Sequence, residues 1–280
     1  MPLDAVRPEL SAEELRMLRD ILEKTSGFNL REELKFLAER RLAPRLEALG
    51  LRDFASYLQH LKFDARGAEE VDTALDALVP RETYFFRERE QLDCFASEVL
   101  PMLARENRGT RTLRLWSAGC STGEEAYTLA MIVDASGLFR DWSVEIYATD
   151  LSRKALTIAR QAEYGESAFR TTQAHELTAY FERLGDERFV VRQRYRDMVR
   201  WGRVNLIDGA RSVPTMDAIF CRNVLIYFER PTRRRVVDHF FDQLRPGGWL
   251  FLGHSENLLN EPTRFLTHSF STDLVYRRPE

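Results

Sequence analysis

The stretch RLWSAGCSTGEEAYTLAM at residues 114–131 decides the fold of this chain. An apolar strand-like run, TLRLWS, leads into a turn of small residues, and the turn leads into the helical pattern EEAYTLAMIVDAS. In an open α/β sheet, ligands bind at the carboxyl ends of the strands, and the first strand-to-helix turn lets a ligand approach the backbone. The residues that supply such a turn here are Ala118, Gly119, Cys120, Ser121, Thr122 and Gly123.

Apolar runs alternate with helical stretches in most of the chain after Pro80. The strand-like runs are TLRLWS, VEIYATD, MDAIFC and GWLFLG, and the helical stretches EEAYTLAMIVDAS and SRKALTIARQ lie among them. This alternation predicts a parallel, doubly wound α/β sheet of the Rossmann-like kind. The last run, TDLVYR, is predicted to be an edge strand.

One segment, between Tyr164 and Trp201, departs from this alternation. QAHELTAYFERLG has a helical pattern, and RFVVRQRYRDMVRWGRV mixes apolar and charged residues as short antiparallel strands do. We therefore expect a small β-subdomain inserted at about residues 164–201.

The first 78 residues have a helical pattern. SAEELRMLRDILEKTSG opens with a Ser-x-x-Glu capping box at Ser11 and Glu14 and stops at Gly27. The further helical segments are REELKFLAERRL, PRLEALG, DFASYLQHLKF and AEEVDTALDALV. Pro44 is expected to break the helix before it and to stand in the first turn of the next one. The predicted organisation is a helical domain at 1–78 and an α/β domain at 79–280.

The composition limits the classes of function. The chain has 280 residues and a net charge of −3, whereas a dedicated nucleic-acid binder is usually more basic. Its three cysteines are odd in number and widely spaced, so neither a disulfide framework nor a metal site is predicted. Residues 1–15 lack the apolar core of a signal peptide, and no apolar run reaches the ~18 residues of a membrane span. We expect a cytoplasmic protein.

The charge of the opening turn favours one kind of ligand. Glu124 and Glu125 open the helix and would repel a phosphate, so a cationic or hydroxyl-rich ligand is expected. Asp150 ends the second strand, where a carboxylate can accept hydrogen bonds from both hydroxyls of a ribose; the alternative is that Asp150 caps the next helix. S-adenosylmethionine meets both demands, while NAD fits less well because GxGxxG is absent.

Two further stretches agree with this ligand. RPGGWLFLG at 245–253 has a Pro-Gly-Gly turn that is common in S-adenosylmethionine-dependent methyltransferases. FCRNVLIYF at 220–228 follows the fourth strand, where such enzymes keep their chemistry. The alternative reading of this second stretch gives Asn223 a capping role and places Tyr227 in the core.

On these stretches the chain closely resembles the chemotaxis receptor methyltransferases of the CheR type. The matching stretches, in the family's order, are RETYFFRE (81–88), LWSAGCSTGEEAYTLAM, YATDLS, GRVNLI (202–207), IFCRNVLIYF and GGWLFLGHSENL. The resemblance covers nearly the whole chain, including the helical part. It implies a class I methyltransferase that transfers a methyl group from S-adenosylmethionine to glutamate side chains of methyl-accepting chemoreceptors.

The implied reaction determines which residues are needed at the site. A glutamate with an ordinary pKa near ~4.3 is already ionised at neutral pH, so alignment matters more than a base. Arg87 could grip both carboxylate oxygens, and Tyr227 is the second candidate. The resemblance gives both a catalytic role; the alternatives are a surface salt bridge for Arg87 and core packing for Tyr227.

The resemblance also implies a set of cofactor-binding residues. Asp150 and Glu125 are expected to hold the ribose and the methionyl part, and Asn205 and Leu206 to border the adenine. Family members often have asparagine at the position of Arg81, which leaves a cofactor contact from residue 81 open. The full predicted set is Thr83, Arg87, Glu125, Asp150, Asn205, Leu206, Arg222 and Asn223.

Substrate docking leaves weaker signals. Several basic residues near the start of the helical part could steer an acidic receptor helix, and the alternative is that they form a solvated amphipathic face. They are Arg31, Lys35, Arg40, Arg41 and Arg45. Some family members bind a tether at the receptor's C-terminus through the inserted β-subdomain. Because YFERLGDERFVVRQ is shorter than that version, we expect an enzyme that works without the tether. We also expect a monomer.

Two other classes of function compete with this reading. A nucleic-acid or small-molecule methyltransferase shares the fold, but RNVLIY lacks the [ND]PPY-type signature of amino-group methylation. A non-catalytic scaffold that binds S-adenosylmethionine or a receptor is the second alternative. A scaffold would have no chemical need for Arg87, Asp150, Asn223 and Tyr227 together, so the sequence favours the enzyme.

Overall fold

A computed structural model describes residues 8–208, 213–259 and 261–280. The expectation that no signal peptide is present concerns residues 1–15, of which 1–7 lie outside the described residues. Within the described ranges, no helix has the length and apolar character needed to cross a membrane. The chain forms two compact units, Met1–Pro80 with Tyr227–Thr232, and Arg81–Ile226 with Arg233–Glu280.

Four α-helices lie within residues 8–80 of the first unit. They are α1 (Ala12–Ser26), α2 (Lys35–Leu49), α3 (Phe54–Phe63) and α4 (Gly67–Leu78). The predicted capping box begins α1: Ser11 Oγ accepts from Glu14 N, and the Glu14 carboxylate accepts from Ser11 N. Gly27 ends the helix with a φ of 78°, a conformation that glycine adopts without strain.

Helix α2 runs through Pro44 without a break, so the prediction of two helices here is wrong. A proline inside a helix removes one backbone hydrogen bond and costs about 3 kcal/mol. The buried side chains of Ala38, Leu42 and Leu46 lie on both sides of Pro44 and pack as one continuous face. That packing offsets the local cost and keeps the helix whole.

Arg41 and Arg45, two of the predicted basic residues, bond to groups of α4, and Lys35 lies 3.7 Å from the Glu39 carboxylate. Arg45 makes a bidentate ion pair with the buried Glu70 at 2.6 and 3.0 Å, and Glu70 also accepts from the Tyr57 hydroxyl. Arg41 donates to the carbonyl groups of Ala77 and Leu78. These two guanidinium groups hold α2 against α4, so fewer of the predicted basic residues are available to steer a receptor helix.

The second unit contains a seven-stranded sheet in the order β6-β2-β1-β7-β8-β10-β9. The first five strands in that order pair in parallel, and β10 pairs antiparallel with β8 and β9. The chain leaves β1 first toward β2 and later toward β7, which places the topological switch point between β1 and β7. The predicted doubly wound α/β sheet is confirmed. Its strands are β1 (Thr112–Ala118), β2 (Ser143–Asp150), β6 (Val199–Arg203), β7 (Met216–Cys221), β8 (Leu244–Leu252), β9 (Leu266–Ser269) and β10 (Leu274–Arg277).

The described helices after residue 80 are α5 (Arg89–Cys94), α6 (Leu100–Glu106), α7 (Glu124–Ser136), α8 (Arg153–Gln161), α9 (Ala174–Tyr180), α10 (Gln193–Arg196) and α11 (Arg230–Gln243). A π-helical segment, Phe95–Val99, joins α5 to α6. Short 3-10 turns lie at Glu32–Leu34, Glu166–Phe169, Leu206–Asp208 and Leu225–Tyr227. The α/β unit buries its core around aromatic pairs such as Phe220 and Phe251, whose rings stack at 4.4 Å.

Two strand predictions are wrong. TDLVYR contains β10, which lies between β8 and β9, and the edge strand is β9. All four β9 residues are exposed, so the strand lacks the alternating apolar pattern that a sequence search detects. The run VRWGR forms β6 and pairs in parallel with β2 in the main sheet, although it was expected in the inserted antiparallel part.

The inserted segment forms a three-stranded antiparallel sheet in the order β3-β5-β4. Its strands are β3 (Glu163–Gly165), β4 (Phe181–Arg183) and β5 (Arg188–Val191). Antiparallel strands were predicted in this region, but the predicted helix QAHELTAYFERLG ends at Tyr180, and its last part forms β4. Phe181 is buried against Phe85 and Phe169, and this aromatic packing explains why the segment leaves the helix.

Candidate active site

The turn after β1 is fixed to the end of β2 by backbone hydrogen bonds. Gly119 N and Cys120 N both donate to the Thr149 carbonyl, and Ser121 N donates to Asp150 Oδ2 at 2.8 Å. The other Asp150 oxygen accepts from Ser152 N. Ser152 itself is the side-chain cap of α8, so the alternative that Asp150 serves only as that cap is wrong.

The glycines of this turn are required by packing as well as by conformation. Gly119 has a φ of 82°, and a Cβ there would lie 2.6 Å from a methyl group of Val224. Gly123 has a φ of 99°, and a Cβ there would meet Trp201 and Ala159 at 2.8 and 2.9 Å. The small residues were predicted to allow a ligand to approach, but close contacts within the protein already require glycine at these two positions.

Arg222 connects the ends of three segments of the α/β unit. Its guanidinium is nearly fully buried and lies 3.2 Å from carboxylate oxygens of both Glu125 and Glu88. It also donates to the backbone carbonyl of Arg87. Glu125 accepts in addition from the Ser117 hydroxyl at 2.6 Å. The start of α7, the segment after β7 and the stretch before α5 are therefore joined by one buried cation.

The ionisation of the two glutamates reflects this cation. Burial raises the pKa of Glu125, and the opposing effect of Arg222 and the Ser117 hydrogen bond is smaller. Burial acts in the same direction on Glu88, but Arg222, the neighbouring His254 and the hydrogen bond from Asn223 together bring the pKa of Glu88 below its ordinary value. Glu88 is therefore an anion at neutral pH.

Aromatic packing positions the motif that contains Arg87. Phe85 is fully buried among Tyr164, Phe169 and Phe181, and its backbone N–H donates to the Ala168 carbonyl. Arg87 follows, half-buried, with one guanidinium nitrogen donating to the Glu82 carbonyl at 2.6 Å. The inserted sheet thus serves as an anchor for the motif.

The site contains buried polar atoms without a hydrogen-bond partner in the described residues. They are Ser121 Oγ, Arg222 Nε and Asn223 Oδ1. Such atoms are rare in folded proteins because each loses its hydration without compensation. The site also holds four of the six non-glycine residues with positive φ in the described ranges: Phe86, Glu88, Ser121 and Asn223. Strain and unpaired polar atoms at one place indicate a ligand-binding site.

We define the carboxyl-edge cluster as Glu88, Glu125, Asp150, Arg222 and Asn223. When its three carboxylates are ionised they outnumber its one guanidinium, so the cluster favours a positively charged ligand. Asp150 ends β2 beside the turn, and the unpaired Ser121 and Asn223 oxygens can accept hydrogen bonds. These acceptor groups fit a ligand with hydroxyl groups and a positive charge, as S-adenosylmethionine has.

The remaining predicted residues are distributed as follows. Asn205 and the buried Leu206 follow β6, whose last residue pairs with Asp150, so they lie near the same sheet edge. Thr83 is half-buried in the motif two residues before Phe85. Tyr227 belongs to the first compact unit, where its ring packs 5.9 Å from that of Phe28. The roles of these residues stay predictions.

Sequence reasoning missed three residues of this region: Glu88, His254 and Glu256. Glu88 bonds Arg222 and lies 3.3 Å from His254, and Glu256 is completely buried with backbone N–H partners. They occur inside RETYFFRE and GGWLFLGHSENL, so the matching stretches were the available signal. Nothing in the local hydrophobic pattern distinguishes a buried glutamate from an exposed one.

Glu124, the other acidic residue of the opening turn, behaves differently from Glu125. Its carboxylate accepts from the Thr122 hydroxyl at 2.7 Å, and burial raises the pKa of Glu124 to about 7. Tyr164 donates its hydroxyl to the Thr122 carbonyl. Glu124 therefore belongs to the packed wall of the turn.

Comparison with known families matches both parts of the chain. Residues 13–79 match a family described as "CheR methyltransferase, all-alpha domain", and residues 81–273 match "CheR methyltransferase, SAM binding domain". The second match confirms the predicted S-adenosylmethionine cofactor.

Relatives match over almost their whole length. "Chemotaxis protein methyltransferase 1" of Pseudomonas aeruginosa is 35% identical over 270 residues, which are 94% of this chain and 97% of the relative. "Chemotaxis protein methyltransferase" of Salmonella typhimurium is 36% identical over 91% of this chain and 87% of the relative. The protein of that name from Borreliella burgdorferi is 34% identical over 89% of each chain.

Proposed function

Because the chain belongs to the CheR methyltransferase family, we propose that it transfers the methyl group of S-adenosylmethionine to glutamate side chains of methyl-accepting chemoreceptors. The products are a γ-glutamyl methyl ester and S-adenosylhomocysteine. The named relatives act in chemotaxis, so the ester is proposed to set receptor signalling during adaptation.

The carboxyl-edge cluster is the observation that supports this proposal. It combines an excess of carboxylates, a buried Arg222 and unpaired oxygens on Ser121 and Asn223 at the switch point of the sheet. A ribose needs hydrogen-bond acceptors, and the sulfonium and ammonium groups of the cofactor need negative charge. A nucleotide with a phosphate group would meet repulsion here.

Each residue of the predicted set has a proposed task. Asp150 accepts hydrogen bonds from the ribose hydroxyls, while Glu125 and Asn223 accept from the methionyl ammonium. Asn205 and Leu206 border the adenine. Thr83 and Arg222 are assigned by the family's motif, and Arg222 also holds Glu125 and Glu88 in place.

The chemistry requires alignment more than acid–base catalysis. The bound cofactor supplies an electrophilic methyl group on a positively charged sulfur. A receptor glutamate is already ionised at neutral pH, and one of its oxygens attacks the methyl carbon as the carbon–sulfur bond breaks. Arg87 is proposed to hold the carboxylate through its planar guanidinium, leaving a lone pair free for attack. Tyr227 is proposed as a second hydrogen-bond donor to the carboxylate.

We further assign the substrate to the helical cytoplasmic region of the receptors and the enzyme to the cytoplasm. Arg40 is exposed on α2, whereas Arg41 and Arg45 are engaged internally, so any steering of an acidic helix rests on fewer charges than the sequence indicated. The β4–β5 hairpin has a four-residue loop, 184–187. This short loop supports an enzyme that works without a receptor tether; measurable affinity for a receptor C-terminal pentapeptide would contradict that. We also propose that the enzyme is a monomer.

The direct test is incubation with methyl-labelled S-adenosylmethionine and receptor-containing membranes. Label that is released from the receptor by mild base identifies a carboxyl ester and supports the proposal. Base-stable label would indicate an amine product, and absence of label with retained cofactor binding would indicate a scaffold. Either of those outcomes contradicts receptor glutamate methylation.

A further inference from the structure

Glu256 lies at the turn after β8 and has no assigned role in the reaction. Its side chain is completely buried, yet no arginine or lysine of the described residues forms an ion pair with it. Its oxygens instead accept from backbone N–H groups: Oε2 from Asn223 at 2.5 Å and Gly253 at 2.9 Å, and Oε1 from Ile226 at 3.1 Å. The N–H of Val224 adds a further contribution.

These N–H groups belong to the segment that follows β7 and contains Asn223. Asn223 has a φ of 61°, an unusual conformation for a residue with a side chain. Successive backbone N–H groups around such a residue form a small concave site that binds anions. In this protein the anion is the carboxylate of Glu256.

The surroundings leave little room for another arrangement. A Cβ on Gly253 would lie 2.6 Å from Glu256 Oε2 and 2.9 Å from Asn223 N. On the other side of the segment, Val224 fills the space where a Cβ of Gly119 would lie. The segment is therefore held between the ends of β1 and β8, and the Glu256 carboxylate fixes its backbone.

From this geometry we infer that Glu256 is a positioning residue for cofactor binding, which holds Asn223 in its strained conformation and thereby places the side-chain amide in the site. The inference rests on the proposed function, because it assigns Asn223 to the methionyl part of the cofactor. Burial raises the pKa of Glu256, and the backbone N–H groups oppose this rise, as expected where a carboxylate is held by N–H groups.

The test is calorimetric titration of four proteins with S-adenosylhomocysteine: wild type, Glu256→Gln, Asn223→Ala and the double variant. Glu256→Gln keeps the size of the side chain but replaces one acceptor oxygen by an NH2 donor that faces the backbone N–H donors. We expect about tenfold weaker binding, the lower range for loss of a group that orients a ligand-binding residue in metal sites. If Glu256 acts through Asn223, the double variant is expected to bind about as weakly as Asn223→Ala.

Asp217→Asn is the matched control, since Asp217 is also a buried carboxylate that accepts a backbone N–H, but at the opposite end of β7. Its affinity is expected to stay within about twofold of wild type. Unchanged affinity in Glu256→Gln, or multiplicative effects in the double variant, would overturn the inference. If Glu256→Gln does not fold, Gly253→Ala replaces it, and unchanged affinity there has the same meaning. Failure of the wild type to bind would instead overturn the proposed function.

Discussion

The two ends of β7 differ in how fully their buried polar groups are paired within the protein. At the amino end, Asp217 accepts from Arg114 N, Asn107 Nδ2 and Arg245 Nε at 2.7 to 2.8 Å. At the carboxyl end, the carboxyl-edge cluster contains residues with positive φ and buried polar atoms without a partner in the described residues. The first arrangement satisfies its own groups, and the second leaves groups for a ligand.

The same contrast holds for arginines. Arg245 is committed to two carboxylates, Asp217 and Glu106, both at distances below 3 Å. Within the described residues, the guanidinium of Arg87 makes one hydrogen bond, to the Glu82 carbonyl. The Arg87 guanidinium therefore keeps donors that can hold a substrate carboxylate, whereas Arg245 directs its donors at carboxylates of the protein itself.

The largest effect is expected from Arg87→Ala. Loss of a donor that holds the reacting carboxylate should lower kcat by about 1000-fold, or about 4 kcal/mol. Arg87→Lys should recover part of the rate, because it keeps the charge but loses the planar fork. The measurement is single-turnover transfer of labelled methyl to receptor membranes. Transfer by Arg87→Ala at the wild-type rate would remove this residue from the mechanism.

Glu124 gives the carboxyl edge a pH dependence. The folded-state pKa is about 7 and the ordinary value is 4.5, so the folded protein holds this proton more tightly than the unfolded chain. The resulting stability is present below pH 4.5 and is lost as the pH rises toward about 7, by about 3 kcal/mol. Urea unfolding across this range should show a flatter profile for Glu124→Gln. An exposed glutamate variant, Glu13→Gln, is the control, and equal slopes in all three proteins would contradict the expectation.

Asp217→Asn sharpens the comparison from the amino end. It should lower the free energy of unfolding by about 2 kcal/mol, since hydrogen bonds to a charged acceptor are weakened. Thermal unfolding measures this loss. Cofactor affinity measured on the same protein should not change, and a clear loss of affinity would mean that the two ends of β7 are coupled.

The smallest effect distinguishes an unpaired hydroxyl from a paired one. Ser121 Oγ has no partner in the described residues, whereas Ser117 Oγ donates to Glu125. Ser121→Ala should therefore leave stability unchanged and weaken cofactor binding about fourfold, or by about 1 kcal/mol. Ser117→Ala should lower stability. The expectation fails if Ser121→Ala destabilises the protein as much as Ser117→Ala does.

The sequence was sufficient for the elements whose signals are local. The Ser11 capping box, the small-residue turn after β1 and the Asp150 strand end were all recognised because the responsible residues are close together in the chain. The helix break predicted at Pro44 is absent because packing on both sides of this residue outweighs one lost hydrogen bond. Strand β9 was missed because its residues are all exposed.

The partners within the site could not be derived in the same way. Arg222 and Glu88 are 134 residues apart, and Glu256 is 33 residues from Asn223. Whether such a glutamate is buried depends on which distant N–H group or guanidinium the fold brings to it. The family resemblance supplied Arg222 and Asn223, while the burial and the partners of Glu88 and Glu256 became visible only in the three-dimensional structure.

The most direct measurement is calorimetric titration of wild type, Asp150→Ala and Asp217→Asn with S-adenosylhomocysteine. If the carboxyl end of the sheet binds the cofactor through Asp150, wild type and Asp217→Asn should bind equally well. Asp150→Ala should bind about 100-fold more weakly, because two hydrogen bonds to a charged acceptor are lost. Equal binding by Asp150→Ala, or no binding by the wild type, would contradict the account.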